Sequence, residues 1–259
     1  MIKKIACCFV ALTVLVLTGC VDTVEELTIN PDGSGVYKNT MDMSGMYDLM
    51  EMMAAMDTAA NSQFKKMSEK DIDSVFALRS VTDTAARLTP EQKRLFQDAT
   101  MSITMKQNDK VFRVGMTYPF TKPEDVQKII ELNDAGKGVG LFEKKDGDQA
   151  ALPGLGDQGQ FPSVNDFYIV TIKNGLIERM PNEEKLASLK DNDQFQELKG
   201  AEDMMETIAF KTIIHLPKAA RKAEGERVEL SADKKTVTIK SSLLDLFENP
   251  KALGFRIEY

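Results

Sequence analysis

The sequence contains only three cysteines and one histidine, two residue types that often carry catalysis, and it has no tryptophan. The cysteines are Cys7, Cys8 and Cys20, so the chain beyond Cys20 cannot form a disulfide, supply a thiol nucleophile or bind a metal through cysteine. The single histidine, His215, cannot build a multi-histidine zinc site. A Ser-His-Asp triad would depend on His215 alone, and no serine lies in a nucleophile motif. We therefore expect neither a triad hydrolase nor a zinc enzyme.

Basic residues are also outnumbered, with 33 Lys and Arg against 40 Asp and Glu and a net charge of -7. A negative surface repels the phosphates of nucleic acids and anionic lipid head groups, so we expect no nucleic-acid partner. The absence of tryptophan and the presence of only five tyrosines disfavour a sugar-binding surface.

The amino terminus has the pattern of a secretory signal, with two lysines followed by an apolar run over residues 5–17. That run is shorter than the ~20 residues that cross a bilayer as a helix. It ends in Leu17-Thr18-Gly19-Cys20, which resembles the lipobox of bacterial lipoproteins. The resemblance implies that residues 1–19 are a signal peptide, that cleavage follows Gly19, and that Cys20 carries diacylglycerol and a further acyl chain such as palmitate. Removal of residues 1–19 would leave a net charge of -9, because they contain two lysines and no acidic residue.

The residues after Cys20 help to predict in which membrane of the cell envelope the protein is anchored. Val21 stands where some lipoproteins carry the Asp that retains them in the inner membrane, so an outer-membrane location is favoured. Asp22, Glu25 and Glu26 resemble the acidic export signals of surface lipoproteins. The sequence does not decide which leaflet holds the anchor.

Beyond the signal, the pattern predicts an α+β fold with antiparallel sheets built from hairpins and packed helices. The glycine-rich segment 136–166 predicts a linker or loop between an N-terminal α+β unit, 20–135, and a C-terminal α+β unit, 167–259. Both halves run hairpin, helix, further strands and helix, an order that a degenerate duplication would give, although no residue-level match supports one. The predicted helices are 45–61, 69–80, one capped by Thr89, one capped by Thr121, one capped by Asn182, and 243–247. The predicted strands are 27–29, 36–44, 99–107, 111–120, 167–173, 176–180, 207–216, 228–231, 236–240 and 254–259.

The opening hairpin and the strand that ends in His215-Leu216-Pro217 resemble envelope lipoproteins of the mycobacterial LppM type. That resemblance implies a small lipid-binding α+β domain.

A methionine cluster in the segment 41–67 is the most unusual part of the sequence. Thioethers bind Cu(I), and Met46, Met50 and Met53 would share one face of the helix predicted over 45–61. Methionine also fills irregular cores and forms adaptable apolar surfaces, and no histidine or cysteine lies nearby. Core packing is the favoured interpretation, ahead of an apolar binding surface and of copper.

We therefore expect a membrane-anchored, non-enzymatic module that needs no cofactor and binds an envelope protein or an apolar ligand at the membrane face. Two alternatives remain open: a Cu(I)-binding protein that uses the methionine cluster, and a hydrolase with a carboxylate site that the sequence does not reveal.

Overall fold

A computed structural model of the protein describes residues 21–48, 51–52, 71–79, 88–134, 164–190 and 205–259. Within these residues the fold is α+β, with two sheets and short helices, as the sequence predicts. None of the described helices is long and apolar enough to cross a membrane.

The larger sheet contains eight strands in the order β10-β11-β8-β1-β2-β5-β4-β3. Its strands are β1 (Val21–Ile29), β2 (Gly35–Asp42), β3 (Ile72–Ala77), β4 (Thr100–Lys106), β5 (Val111–Phe120), β8 (Ile208–His215), β10 (Val228–Leu230) and β11 (Thr236–Ser242). The smaller sheet has the order β6-β7-β12-β9 and contains β6 (Tyr168–Lys173), β7 (Leu176–Pro181), β9 (Lys222–Glu224) and β12 (Phe255–Glu258).

The described helices are α1 (Pro90–Phe96), α2 (Glu124–Asp134), α3 (Glu183–Lys190) and α4 (Leu243–Glu248), with 3-10 turns at Ser44–Met46, Val164–Phe167 and Pro250–Leu253. The start of α1 follows the prediction, since the Thr89 hydroxyl accepts from the Gln92 backbone and the Gln92 side chain accepts from the Thr89 backbone. The strands predicted over 167–173 and 176–180 form the hairpin β6–β7, and Gly175 in its turn takes a positive φ of 82°.

One sequence prediction is wrong. We predicted a helix over 69–80, but β3 (Ile72–Ala77) pairs antiparallel with β4 along its whole length. The β-branched Ile72 and Val75 and the aromatic Phe76 favour a strand, and the ladder to β4 satisfies its backbone groups. Of the helix predicted over 45–61, the structure describes residues 45–48 and 51–52, and all of them are in 3-10 or α-helical conformation.

The two predicted units, 20–135 and 167–259, both contribute strands to the larger sheet. β1 and β8 pair in parallel, from Val21 beside Ile208 to Thr28 beside His215, so strands from both predicted units form one sheet. Every other strand pair that the structure describes is antiparallel. The hairpin β1–β2 lies in the middle of the larger sheet and β6–β7 at one edge of the smaller, so the two halves are arranged differently. The segment 136–163 lies outside the described residues.

The hydrophobic core lies between the inner faces of the two sheets, and α2 closes it beside β6. One row across the larger sheet shows the density of packing: Leu27, Tyr37, Tyr118 and Ile214 are neighbours on four strands, and each is at most 5% exposed. Every second residue of a strand faces this core, so the strand pattern fixes which side chains meet between the sheets.

Candidate binding site between the sheets

A fully buried arginine lies in the core between the two sheets. Arg179 on β7 shares the inward parity of Ile177, and its side chain is 3% exposed. Its Nε donates to the carbonyl oxygen of Leu253 at 2.9 Å. The guanidinium carbon also lies 4.8 Å from the ring centroid of Phe255 and 5.5 Å from that of Tyr168. Two aromatic faces and one carbonyl thus hold this cation from the side of the smaller sheet.

A carboxylate faces the arginine from the larger sheet. Glu25 on β1 is half-buried and accepts hydrogen bonds from side chains on three separate parts of the chain. Its donors are the Tyr37 hydroxyl at 3.1 Å, the Asn165 Nδ2 at 2.5 Å and the Thr212 hydroxyl at 3.4 Å. These donors come from β2, the turn before β6, and β8, so Glu25 ties both sequence halves together.

Thr212 connects the two charged groups. Its Oγ1 lies 3.5 Å from Nη1 of Arg179 and 3.4 Å from Oε2 of Glu25. The guanidinium and the carboxylate therefore interact through one hydroxyl instead of forming a direct ion pair. Charge-assisted hydrogen bonds of this kind are about twice as strong as neutral ones.

Burial sets the protonation behaviour of this cluster. Desolvation lowers the pKa of Arg179, while Glu25, Tyr168 and Tyr37 oppose that change. Desolvation also raises the pKa of Tyr168 to about 12, although Arg179 opposes the rise. The Tyr168 hydroxyl therefore stays neutral and donates to the carbonyl oxygen of Pro250 at 2.6 Å.

A cavity of about 30 Å³ adjoins the cluster. Since one water needs ~10–15 Å³ by this measure, the cavity admits about two water-sized groups. It is far smaller than the ~300–1,000 Å³ of a pocket that encloses a drug-sized ligand. Its polar lining is Arg179, Glu25, Asn165 and Thr212, and the rest is Leu27, Tyr37, Val126, Ile130, Val170, Ile172, Ile177, Ile214 and Phe255.

The inner face of the larger sheet continues from this cavity as a band of half-buried residues, which we call the inner-face band. It consists of Thr23, Glu25, Asn39, Met41, Val114, Met116 and Phe210. The rows on either side of it are buried, with Leu27 and Tyr37 on one side and Val21 and Phe112 on the other. Four of its seven residues are apolar and pack against the core, and two of these are methionines, whose side chains adapt to irregular shapes.

The residues that the sequence singled out lie elsewhere. Cys20, Met50 and Met53 are outside the described residues, and Met46 ends a 3-10 turn, so the lipid anchor and the copper site stay predictions. No group of three His, Cys, Asp or Glu side chains in the described ranges is placed to hold a metal ion.

His215 lies on the more polar face of β8. Its side chain is 39% exposed, with Nε2 at 3.1 Å from a Glu26 carboxylate oxygen and Nδ1 at 3.4 Å from the Thr236 hydroxyl. Ile208, Ile214 and Leu216 occupy the opposite, buried side.

The sequence carried a signal for the cluster that sequence reasoning missed. Glu25 shares strand parity with Leu27 and Ile29, and Arg179 shares it with Ile177, so each charged residue occupies an apolar position of an alternating strand. Such a position indicates a buried charge, but it does not identify the partner on the other sheet.

A carboxylate pair of the kind that the hydrolase alternative needs lies on the outer face. Asp22 and Asp42 are directly opposite each other on β1 and β2. Burial raises the pKa of Asp22, and the charge of Asp42 raises it further. Burial also acts to raise the pKa of Asp42, but hydrogen bonds from Ser44 and Arg113 outweigh that effect and lower it. Asp42 already binds Arg113 Nε at 2.6 Å, so it is occupied by a structural partner.

Comparison with known proteins gives little further information. No protein-family model matches the sequence, and no curated protein matches it. One solved structure is a weak neighbour: the NMR structure of the folded domain of the LppM protein from Mycobacterium tuberculosis, with 9% sequence identity and a TM-score of 0.37. The match covers 93% of this chain and 91% of that chain. At this level of similarity the neighbour does not bear on the function of the protein.

Proposed function

We propose that this protein is a non-enzymatic lipoprotein of the cell envelope, anchored through Cys20 in the outer membrane, that binds an apolar ligand at its inner-face band. The observation that carries the proposal is the inner-face band: half-buried residues, two of them methionines, between two buried rows and beside a cavity that a buried cation lines. Ligand sites usually combine apolar surface with a small number of polar groups.

The position of β1 supports a role close to the membrane. β1 begins at Val21 and is a central strand of the larger sheet, paired with β2 on one side and β8 on the other. A lipid on Cys20 would thus be one residue from an ordered strand, and the sheet would lie within a few ångströms of its anchor. Two acyl chains together are sufficient for stable anchoring, since each buried CH₂ contributes ~0.8 kcal/mol.

The test uses the mature chain with Cys20→Ser, which removes the anchor but keeps the whole domain. The purified protein is incubated with a total lipid extract of bacterial envelopes, repurified, and examined by native mass spectrometry. We expect bound single- or double-chain lipids. A protein that emerges without lipid, and that also retains no envelope protein in a pull-down, would contradict the proposal.

Two charge substitutions locate the binding surface. Met116→Glu places a carboxylate in the inner-face band and should abolish lipid binding. Met180→Glu makes the same change on the outer face of the smaller sheet, where Met180 is 53% exposed, and should leave binding unchanged. Equal loss in both variants, or in neither, would place the ligand elsewhere.

A further inference from the structure

The edges of the two sheets differ in how they are protected. An edge strand exposes backbone N–H and C=O groups, and proteins usually protect it by making it short, charging it or covering it. Within the described residues, the edge strands β9 and β10 are three residues long and carry charges, and β6 lies beside α2. The fourth edge strand, β3, has six residues and a single charge, and no described strand lies beyond it.

Apolar side chains are exposed on both faces of β3. Val75 on the outer face is 70% exposed, and Phe76 on the inner face is 46% exposed. Phe76 shares the inner face with Met101, its neighbour on β4, which is buried. The core therefore ends near β4, and β3 carries apolar side chains past it. Such an exposed apolar edge is suited to pairing with a further strand.

The backbone groups of Asp73 and Val75 point toward this open edge. The N–H of Leu78 donates to the carbonyl oxygen of Ala99 at 2.9 Å, and these two residues continue the register of β3 with β4. Every second residue of an antiparallel strand bonds to the same neighbour, so the even-numbered residues of β3 bond to β4. The N–H and C=O groups of Asp73 and Val75 consequently point away from β4.

A second copy of β3 fits this edge when it runs antiparallel about a two-fold axis at Ser74. Asp73 of each copy then exchanges both backbone hydrogen bonds with Val75 of the other copy. On the inner face Ile72 of each copy lies opposite Phe76 of the other, and aromatic residues paired with β-branched residues stabilise sheets. A parallel copy in register would instead place the two Asp73 carboxylates side by side, and like charges in that position are unfavourable.

We infer that the protein forms a two-fold symmetric dimer through β3, which joins the larger sheets of two copies into one continuous sheet. Each copy uses its open edge on the other, so the assembly closes at two copies. The contact lies apart from the inner-face band, and the inference therefore goes beyond the proposed function and is tested independently of lipid binding.

Cross-linking through a single introduced thiol tests the register. A chain that starts at residue 20 and carries Cys20→Ser contains no cysteine, so Ser74→Cys adds the only one. At the axis the two thiols would lie on directly opposite residues with Cα atoms ~4.5 Å apart, which a disulfide can span. Mild oxidation should convert most of this variant to a linked dimer.

The control for this cross-link is Val75→Cys in the same Cys20→Ser chain. Val75 is highly exposed, but in the inferred dimer it lies opposite Asp73 and diagonal to the other Val75. Diagonal positions are ~7–8 Å apart, beyond the reach of a disulfide. The Val75→Cys variant should therefore cross-link much more slowly than Ser74→Cys.

Two charge substitutions test the same pairing by sedimentation equilibrium. Val75→Glu places a carboxylate opposite Asp73 of the other copy and should weaken the dimer about tenfold, because the repulsion occurs twice. Val75→Lys places an ammonium group there and should leave the dimer at least as stable as in the parent. Association through apolar surface without this register would be weakened by both substitutions.

The outcomes decide the inference. Faster cross-linking of Ser74→Cys, together with a weaker dimer in Val75→Glu alone, is the expected result. A parent that sediments as a monomer at millimolar concentration would overturn the inference, whether the edge stays open or takes a strand of another protein. Faster cross-linking of Val75→Cys, or equal effects of Val75→Glu and Val75→Lys, would overturn it as well.

Discussion

Asp22 lies directly opposite Asp42 on the outer face of the larger sheet, where two carboxylates share one cross-strand position. Asp42 is held by Arg113, with Nε 2.6 Å from its Oδ2, and by the backbone N–H of Ser44 at 3.0 Å. No described side chain forms an ion pair with Asp22, and like charges that face each other across a sheet destabilise it by ~0.2–1 kcal/mol. The charged form of Asp42 is therefore stabilised in the fold, whereas the charged form of Asp22 is destabilised.

Asp22→Asn should therefore stabilise the protein at neutral pH. Because burial and Asp42 raise the pKa of Asp22 in the folded state, its contribution to stability is complete below the ordinary Asp pKa of 3.8 and is lost as the pH rises through the folded value. At pH 7 the carboxylate opposes folding, so the variant should have the higher free energy of unfolding, by up to ~1 kcal/mol. Chemical denaturation at pH 7 and pH 3 checks this, because the difference should vanish at pH 3. A variant that is less stable at pH 7 would contradict it.

Glu25→Gln should destabilise the fold, since Glu25 accepts three hydrogen bonds and lies opposite the buried Arg179. Hydrogen bonds to a charged group contribute ~1.5–3 kcal/mol, so we expect a loss in that range, which corresponds to ~2–4 °C in Tm for each kcal/mol. The matched control is Glu26→Gln, whose carboxylate is partly exposed beside His215 and Lys38 and should change stability by at most ~1 kcal/mol. Similar melting temperatures for the two variants would show that the cluster adds no stability.

Two ion pairs join α1 to α2 and should differ in strength. Asp125 is 1% exposed and receives both terminal nitrogens of Arg94, at 2.7 and 3.2 Å. Asp125→Asn should cost ~1.5–3 kcal/mol of unfolding free energy. Glu91→Gln removes the exposed partner of Lys128 and should cost at most ~1 kcal/mol. Urea denaturation of both variants tests this order, and a reversed order would contradict it.

Two glycines of the first hairpin should respond differently to alanine. A Cβ at Gly35 would lie 1.9 Å from the Thr28 carbonyl oxygen and 2.5 Å from Phe120 Cζ, so Gly35→Ala must displace backbone and should cost ~3 kcal/mol or more. Gly33 has space around it but a φ of +86°, so Gly33→Ala should cost ~1–2 kcal/mol. Thermal unfolding of the two variants compares their losses of stability. A larger loss in Gly33→Ala would mean that the hairpin register is different.

Local signals in the sequence predicted most helices and strands. They failed where the structure of a segment depends on pairing with residues far away in the sequence. The capping box at Thr89 and the turn at Gly175 depend on near neighbours, and both agree with the structure. β3 has a pattern that suits a helix or a strand, and only its pairing with β4 excludes the helix. The parallel pairing of β1 with β8 joins residues almost two hundred positions apart, for which a single sequence holds no signal.

The candidate site was accessible to prediction only in part. Strand parity places Glu25 and Arg179 on inward faces, which indicates two buried charges. Their meeting depends on how the smaller sheet packs on the larger, and on Thr212 between them. The inner-face band could not be predicted for the same reason, because the half burial of its residues depends on what packs against that face.

The most direct test of the account is whether Cys20 carries lipid. The full-length chain and its Cys20→Ser variant are expressed in a bacterium that is fed an alkyne-tagged palmitate, and the cells are fractionated. The account predicts label on the parent alone, with the parent in the membrane fraction and its processing blocked by globomycin. An unlabelled parent, or a Cys20→Ser variant that is processed and retained in membranes like the parent, would contradict it.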